Sequence, residues 1–160
     1  MIERFKANIK HEYGFLLDFV LNNTRGDFYY TANDFKRVYV TDVPSLKKFI
    51  KSGGYIYTKK EKGDYVGIIL AIATNENGKV RHYVKMSSKS PTIAKDLLTV
   101  LLWNCKKELF FRVKKYNRIM QVFKEKGFRF VDIRGDSILL NRKPLERKES
   151  PIYIKKEDYE

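Results

Sequence analysis

Residues 116–131 read YNRIMQVFKEKGFRFV, and this stretch contains a helix, its stop signal and the start of a strand. Apolar residues within 117–128 recur at helical spacing, and Gly127 can adopt the left-handed conformation that ends a helix. The segment before it, ELFFRV (108–113), has the composition of a strand. Two further strand-like segments follow and are hinged at Gly135-Asp136, a hairpin signal. The stretch therefore predicts a strand–helix–hairpin unit.

Upstream of this unit, residues 87–98 (SSKSPTIAKDLL) lead from a strand into an amphipathic helix. Three strand-like segments precede it, YIYTKK, DYVGIILAIAT and VRHYVKMS, joined by the turn sequences EKGD and ENGK. The apolar run 66–73 is typical of a strand buried on both faces in the middle of a sheet.

The first third of the chain is predicted to be partly helical. Residues 1–24 carry apolar groups mostly at helical spacing, FKRVYV (35–40) indicates a strand, and TDVPSLKKFIKSGG indicates a short helix capped by Asp42 or Ser45. The order helix, strand, helix, three strands, helix, strand, helix, hairpin predicts an α/β (α+β) fold. Its sheet is mixed, mostly antiparallel and twisted, with helices on both faces. Where two parallel neighbouring strands lead into different connections they can separate, and the cleft that opens between them is a place where ligands bind. We predict one domain over residues 1–143, with a helical portion at 1–34, and an extension over 144–160.

Charge is the most informative part of the composition. The chain has 33 Lys and Arg against 19 Asp and Glu, a formal net charge of +14. Residues 79–126 hold 13 of these basic residues and three acidic ones, so this basic span carries +10. Such an excess suits a surface that faces phosphates of a cofactor or of nucleic acid, although a solvated lysine-rich surface explains it equally well.

Several classes of protein are disfavoured by composition. No apolar run approaches the roughly 18 residues of a membrane span, so no membrane partner is expected. One cysteine and two histidines disfavour both a disulfide framework and a zinc site. A single Cys105 also fits a reducing cytoplasm, and we expect it to be a small buried hydrophobe. Trp103 is expected in the core.

The order of elements and two local motifs resemble the GNAT superfamily of acyl-CoA N-acyltransferases over roughly residues 35–143. In YNRIMQVFKEKGFRFV, Asn117, Phe123, Gly127 and Phe128 fall on the family's pattern of an Asn after a strand, a helix and a closing Gly-Phe. The family's pyrophosphate loop is matched by the second motif, which runs through Lys89, Ser90, Pro91, Thr92, Ile93 and Ala94 to Leu97-Leu98. The resemblance implies an N-acyltransferase that uses acetyl-CoA, or another acyl-CoA, and an amine acceptor that the sequence does not identify.

The loop departs from the family pattern in a way that can be weighed physically. A pyrophosphate needs backbone N–H groups converging at the N-terminus of a helix. Thr92 replaces a glycine and Pro91 removes one N–H donor, whereas Ala94 keeps a small residue and Lys89 supplies a positive charge. The hydroxyls of the loop are expected within reach of a phosphate; they belong to Ser87, Ser88, Ser90 and Thr92. Taken alone, the same stretch is also an ordinary helix cap.

The resemblance also implies roles for residues on both sides of the loop. The strand before it, around Tyr83 to Met86 and including Val84, would offer a backbone N–H to the thioester carbonyl, and Asn117 would contact the cofactor arm. In the family, the group that gives a proton to the leaving thiolate is often a Tyr at the position of Phe123. Tyr116 is therefore the candidate that could take over this role. His82 and Tyr83 are candidate bases, and because neighbours on a strand point to opposite faces, one of them is expected to face the cleft.

Two other classes of function compete with the enzyme. A basic module could bind nucleic acid through the basic span 79–126, in which Phe110, Phe111 and Tyr116 interleave with cations. Some proteins that resemble this superfamily, the Mom-type DNA-modification proteins, act on nucleic acid itself. An interaction protein without a ligand is the third class, and a second copy of the chain is a further candidate partner.

Overall fold

The computed structural model of the chain describes residues 2–5, 10–23, 28–31, 36–76 and 78–144, and these form nine strands and four helices. The strands are β1 (Ile2–Arg4), β2 (Tyr29–Thr31), β3 (Arg37–Tyr39), β4 (Gly53–Glu61), β5 (Asp64–Glu76), β6 (Lys79–Ser88), β7 (Leu109–Lys114), β8 (Arg129–Arg134) and β9 (Ser137–Arg142). The helices are α1 (Lys10–Asn23), α2 (Val43–Ser52), α3 (Pro91–Asn104) and α4 (Ile119–Glu125). None of the described helices has the length and apolarity of a membrane span.

Seven strands form one twisted sheet in the order β1-β4-β5-β6-β7-β9-β8, and β2 and β3 form a separate antiparallel ribbon. Neighbouring strands of the seven-stranded sheet are antiparallel except β6 and β7, which run parallel. A mixed, mostly antiparallel sheet with flanking helices confirms the predicted α/β class. The one parallel step follows from the crossover through α3, which returns the chain to the edge of β6.

Local chemistry explains most of the predicted elements. Asp42 caps α2 by accepting from the Ser45 N–H at 2.9 Å, and the Ser45 hydroxyl accepts from the Asp42 N–H at 3.0 Å, which completes a capping box. The turn between β4 and β5 uses Lys62 and Gly63, both at positive φ. The predicted hairpin dipeptide Asn77-Gly78 lies partly outside the described residues, with Gly78 at φ +82°.

Two apolar layers lie on opposite faces of the sheet. On one face, which we call the α1 face, α1 and α2 pack over Ile68, Leu70 and Ile72 of β5. On the other, the α3 face, α3 and α4 pack over Ile69 and Ala71 of the same strand. Of the apolar run predicted to be buried, residues 66–72 are buried as expected for a central strand, and the last one, Ala73, is exposed.

Gly67 allows α3 to lie close to the sheet. A Cβ placed there would come within 2.6 Å of Leu97 Cδ1 and 2.8 Å of Ile93 Cγ2, distances that real side chains do not tolerate. The first two turns of α3 therefore rest directly on β5, and this close packing fixes where the helix begins.

Three expectations from the sequence are corrected here. The helical pattern over 1–24 corresponds to a helix only over Lys10–Asn23, and Ile2–Arg4 instead form β1, which pairs Ile2 with Lys59 of β4. The strand predicted over 35–40 is shorter and lies in the ribbon, where it pairs with β2. Trp103 is 47% exposed, because it lies on the outer side of α3 near its end. Cys105 is buried, as expected.

Candidate functional site

The parallel pair β6 and β7 diverges after two residue pairs. The ladder joins His82 to Leu109 and Tyr83 to Phe110, and it pairs no later residues of the two strands. β6 continues for five residues beyond Tyr83 and stays paired to β5 to its end. A gap therefore opens between the two strands toward their carboxyl ends, the place where α/β sheets commonly bind ligands. We call it the β6–β7 gap.

The start of α3 lies beside this gap. Ser90 caps the helix, with its Oγ accepting from the Ile93 N–H at 3.2 Å. The Lys89 N–H donates to the Val66 carbonyl at 3.0 Å and the Ala94 N–H donates to the Ser90 carbonyl at 3.0 Å. Among the described residues, the N–H groups of Ser90 and Thr92 have no backbone acceptor, as is usual in the first turn of a helix.

The predicted hydroxyl cluster is only partly present. Ser87 is buried and donates to the Asn23 carbonyl of α1 at 3.1 Å, because its side chain lies on the α1 face, away from the start of α3. Ser88 donates to the Ser90 carbonyl at 3.1 Å and thus stabilises the loop. Thr92, on the exposed first turn of α3, keeps an outward position, as does the exposed Lys89.

The other residues expected at a cofactor site divide into backbone and side-chain contributors. Val84 and Ile93 are buried in the core on the α3 face, and Met86 packs against the same core. At the gap, β6 can therefore contribute backbone groups of these residues rather than their side chains. Asn117 is exposed, and its Oδ1 accepts from the Ile119 N–H at 3.0 Å at the start of α4.

Phe123 has a structural environment. It is 0% exposed, its ring stacks on Phe111 at a centroid distance of 3.7 Å, and it meets the edge of Phe128 at 4.9 Å. This aromatic cluster fastens α4 to β7. Tyr116, the substitute acid expected from the sequence, is 87% exposed in the turn after β7.

The two candidate bases on β6 have different surroundings. Tyr83 forms the closed end of the gap on the α1 face, where its ring lies 5.8 Å from that of Phe110. His82 lines a separate cavity of about 480 Å³ with Lys79, Lys107 and neighbouring residues, at the amino end of the two strands. Burial lowers the pKa of His82, and the positive charge of Lys107 lowers it further. The imidazole is therefore neutral at pH 7, although it lies away from the gap.

A second cavity, of about 300 Å³, lies on the α1 face at the gap and is roofed by the β2–β3 ribbon. Its lining contains Tyr83 together with four basic residues, Arg37, Lys85, Arg112 and Arg134. We call it the basic cavity.

These four cations lie outside the site that the sequence predicts. The signal that could have found them is alternation, since Lys85 and Arg112 each lie two residues beyond the last parallel pair and must share the face of Tyr83 and Phe110. The described residues contain no cluster of three or more side chains suited to hold a metal ion.

Comparison with known proteins supports the fold. No protein-family model and no curated protein sequence matches the chain. Among solved structures, a ribosomal-protein-alanine N-acetyltransferase from Brucella melitensis superposes with a TM-score of 0.68 at 11% identity, covering 91% of this chain and 99% of that one. An aminoglycoside 6'-acetyltransferase type Ii gives a TM-score of 0.67 at 13% identity, over 92% and 99% of the two chains.

A GNAT-superfamily phosphinothricin acetyltransferase from Sinorhizobium meliloti, solved in complex with AcCoA, gives a TM-score of 0.62 at 14% identity, over 94% and 90% of the two chains. At this level of identity the likeness concerns the fold. The chain has the fold of the GNAT acetyltransferases, and the resemblance noted in its sequence is confirmed at that level.

Proposed function

We propose that this protein is an acyl-CoA-dependent N-acyltransferase that transfers an acyl group, most simply acetyl, directly to an amine. The observation that carries the proposal is the β6–β7 gap, which opens beside the capped N-terminus of α3. The likeness to solved GNAT acetyltransferases, one of them in complex with AcCoA, supports the same donor.

The loop at the start of α3 suits a pyrophosphate despite its lost glycines. The N–H groups of Ser90 and Thr92 lie at the positive end of the helix dipole, and Lys89 adds a full positive charge in the same turn. Pro91 lacks an N–H group, but this does not weaken the helix, because N–H groups in the first turn have no hydrogen-bond partner within the helix. The fit rests on two amides and one lysine rather than on a glycine-rich cradle.

The edge of β6 beyond Tyr83 suits the acyl-bearing arm. Because backbone groups alternate along a strand, every second residue of 84–88 directs its N–H and C=O toward the gap, where β7 no longer pairs with them. The donor supplies the acyl group as a thioester, and a backbone N–H at this edge would stabilise the negative charge that develops on its carbonyl oxygen.

Tyr83 is the best placed of the three candidate catalytic side chains. It lies at the closed end of the gap and lines the basic cavity, which places it beside both the proposed donor site and the cavity. We assign its hydroxyl the role of giving a proton to the leaving thiolate. His82, in the other cavity, and Tyr116, in the outer turn, receive no role in this proposal.

Titration calorimetry with acetyl-CoA tests the proposed function. We expect saturable binding by the native protein and binding at least about tenfold weaker by Lys89→Glu, because the substitution reverses the charge beside the pyrophosphate. The matched control is Lys48→Glu on the exposed side of α2, which changes the net charge equally and should leave the affinity unchanged. No heat with acetyl-CoA at about 1 mM, the upper end of ordinary substrate affinities, would reject the proposal.

A further inference from the structure

The basic cavity collects positive charge from four separate strands. Arg37 comes from β3, Lys85 from β6, Arg112 from β7 and Arg134 from the end of β8. No acidic residue is found among the described residues that line it. Four like charges from distant parts of the chain repel one another in the folded protein, so a bound anion would stabilise this arrangement.

Two of the cations lie on the two arms of the β6–β7 gap. Lys85 and Arg112 are each two residues beyond the paired Tyr83 and Phe110, so both project on the α1 face as the strands separate. A molecule in the cavity therefore lies between these side chains and next to the opening where a thioester would be presented.

Residues of the β2–β3 ribbon form one wall of the cavity and contact its cations. The Tyr29 ring has Lys85 Nζ at 3.6 Å from its centre and Arg37 Cζ at 4.6 Å. These cation–π contacts orient both cations at the edge of the cavity. Tyr39 packs on Tyr29 at a centroid distance of 5.4 Å and extends the aromatic support.

One carboxylate lies near this group. Asp132 is opposite Leu139, which is in turn opposite Arg112, so the three share one row across β8, β9 and β7. Asp132 is not part of the lining, and its Oδ1 is buried without a hydrogen-bond partner among the described residues. Among the described residues, the cavity lining and Asp132 taken together still carry more positive than negative charge.

We propose that the acceptor is a small amine that also carries a carboxylate or phosphate group, and that the basic cavity binds it by this anionic group. The inference rests on the proposed function and names its substrate class. A cavity of about 300 Å³ suits a small molecule rather than a protein segment or a folded nucleic acid. Arg112 and Arg134 present planar guanidinium groups, which bind carboxylate and phosphate oxygens in pairs.

The same charges would prepare the amine for reaction. An ammonium group brought among four cations has its pKa lowered by like-charge repulsion, which favours the neutral, nucleophilic amine. The amine nitrogen then forms a bond to the thioester carbonyl carbon, the C–S bond breaks, and the nitrogen loses one proton while the thiolate gains one. The anionic group of the acceptor keeps the molecule bound against the repulsion that acts on its ammonium end.

Three amines with the same aminoethyl unit test this inference without any acyl-CoA: phosphoethanolamine, β-alanine and ethanolamine. Each is titrated into the full-length protein at concentrations on the order of 10 mM, and binding is followed by the backbone amide NMR signals of Lys85 and Arg112. We expect phosphoethanolamine or β-alanine to shift these signals and ethanolamine to leave them in place. The difference between the two anionic amines tells phosphate from carboxylate recognition.

Charge-removing variants complete the test. Arg134→Gln, at an exposed hairpin position, and Arg112→Gln should each weaken binding of the anionic amine at least about fivefold, whereas Lys48→Gln on α2 should not. Should Arg112→Gln fold poorly, the exposed Arg134→Gln still decides the matter.

Three results would overturn the inference: no shift with either anionic amine, equal shifts with ethanolamine, or shifts at these amides with a single-stranded oligonucleotide alone. Since no acyl-CoA is present, each of these can occur while acetyl-CoA binding, and thus the proposed function, still holds.

Discussion

His82 and Tyr83 are adjacent on β6 but differ in how well they are placed for catalysis. His82 and Tyr83 point to opposite sides of β6, as the alternation of a strand requires. Intrinsic pKa favours His82 as a base, and burial keeps it neutral, yet it lies at the amino end of the strands in a different cavity. Tyr83 has the less suitable intrinsic pKa but lies where the strands part. Position relative to the gap therefore outweighs intrinsic acidity in assigning a role.

Replacement of Tyr83 by Phe tests that assignment. We expect Tyr83→Phe to lower kcat about 100-fold, the lower end of what a positioned proton donor contributes. The affinity for acetyl-CoA should stay within about twofold, because the phenol does not contact the pyrophosphate loop. Release of the CoA thiol under saturating substrates measures kcat, and calorimetry measures the affinity. An unchanged kcat would remove Tyr83 from the reaction.

His82 should influence stability rather than activity. Because its folded-state pKa is lowered, the unfolded chain takes up a proton more readily as the pH falls below about 6.5. His82 therefore costs stability at acidic pH and nothing above that range. Thermal unfolding of the native protein and of His82→Gln should show the variant gaining stability relative to the native protein between pH 7.5 and pH 5.5. A difference in Tm that is the same at both pH values would contradict the lowered pKa.

At the scale of elements, the N-cap of α3 has two separable effects. Ser90→Ala removes the acceptor for the Ile93 N–H and should reduce the free energy of unfolding by about 1 kcal/mol. Ser90→Asp keeps a capping oxygen and should retain stability, but it places a negative charge where the pyrophosphate is proposed to bind. Urea unfolding should therefore show a lower free energy of unfolding for Ser90→Ala than for Ser90→Asp. Titration with acetyl-CoA should show a lower affinity for Ser90→Asp than for the native protein. Equal affinities of the Asp variant and the native protein would argue against a phosphate at this turn.

The elements that the sequence predicts are those with strong local signals. The helix α2 has its capping box, the hairpin β4–β5 has Lys62-Gly63 in its turn, and β5 has a continuous apolar run. The short strands β1 and β2 were missed because three residues carry no periodic pattern, and each forms only by pairing with a distant strand. Trp103 was misplaced because an apolar residue near the end of a helix can lie outside its buried stripe.

At the scale of the whole molecule, the sequence predicted the gap but not the basic cavity. The gap follows from the order of elements, since a helical crossover after an antiparallel meander produces one parallel pair. The cavity draws its cations from β3, β6, β7 and β8. Strand alternation could have placed Lys85 beside Arg112, but no local pattern brings Arg37 and Arg134 to the same place. The basic span 79–126 contains Lys85 and Arg112 but says nothing of Arg37 or Arg134.

The structure does not favour the stacking of nucleic-acid bases on the aromatic residues of the basic span. Phe110 and Phe111, which interleave with cations in the sequence, are 7% and 8% exposed and pack on opposite faces of the sheet. Of the three aromatic residues that interleave with these cations, Tyr116 is the exposed one. A stacking platform needs several such rings side by side, and Phe110 and Phe111 do not supply them.

Hydrogen–deuterium exchange with and without acetyl-CoA tests the central claim, that the β6–β7 gap and the start of α3 receive the acyl donor. We predict slower exchange in peptides covering residues 84–92 when acetyl-CoA is present, and unchanged exchange in α1 and α2. Protection confined to residues 79–82 and the neighbourhood of Lys107, or no protection at all under saturating acetyl-CoA, would contradict the account.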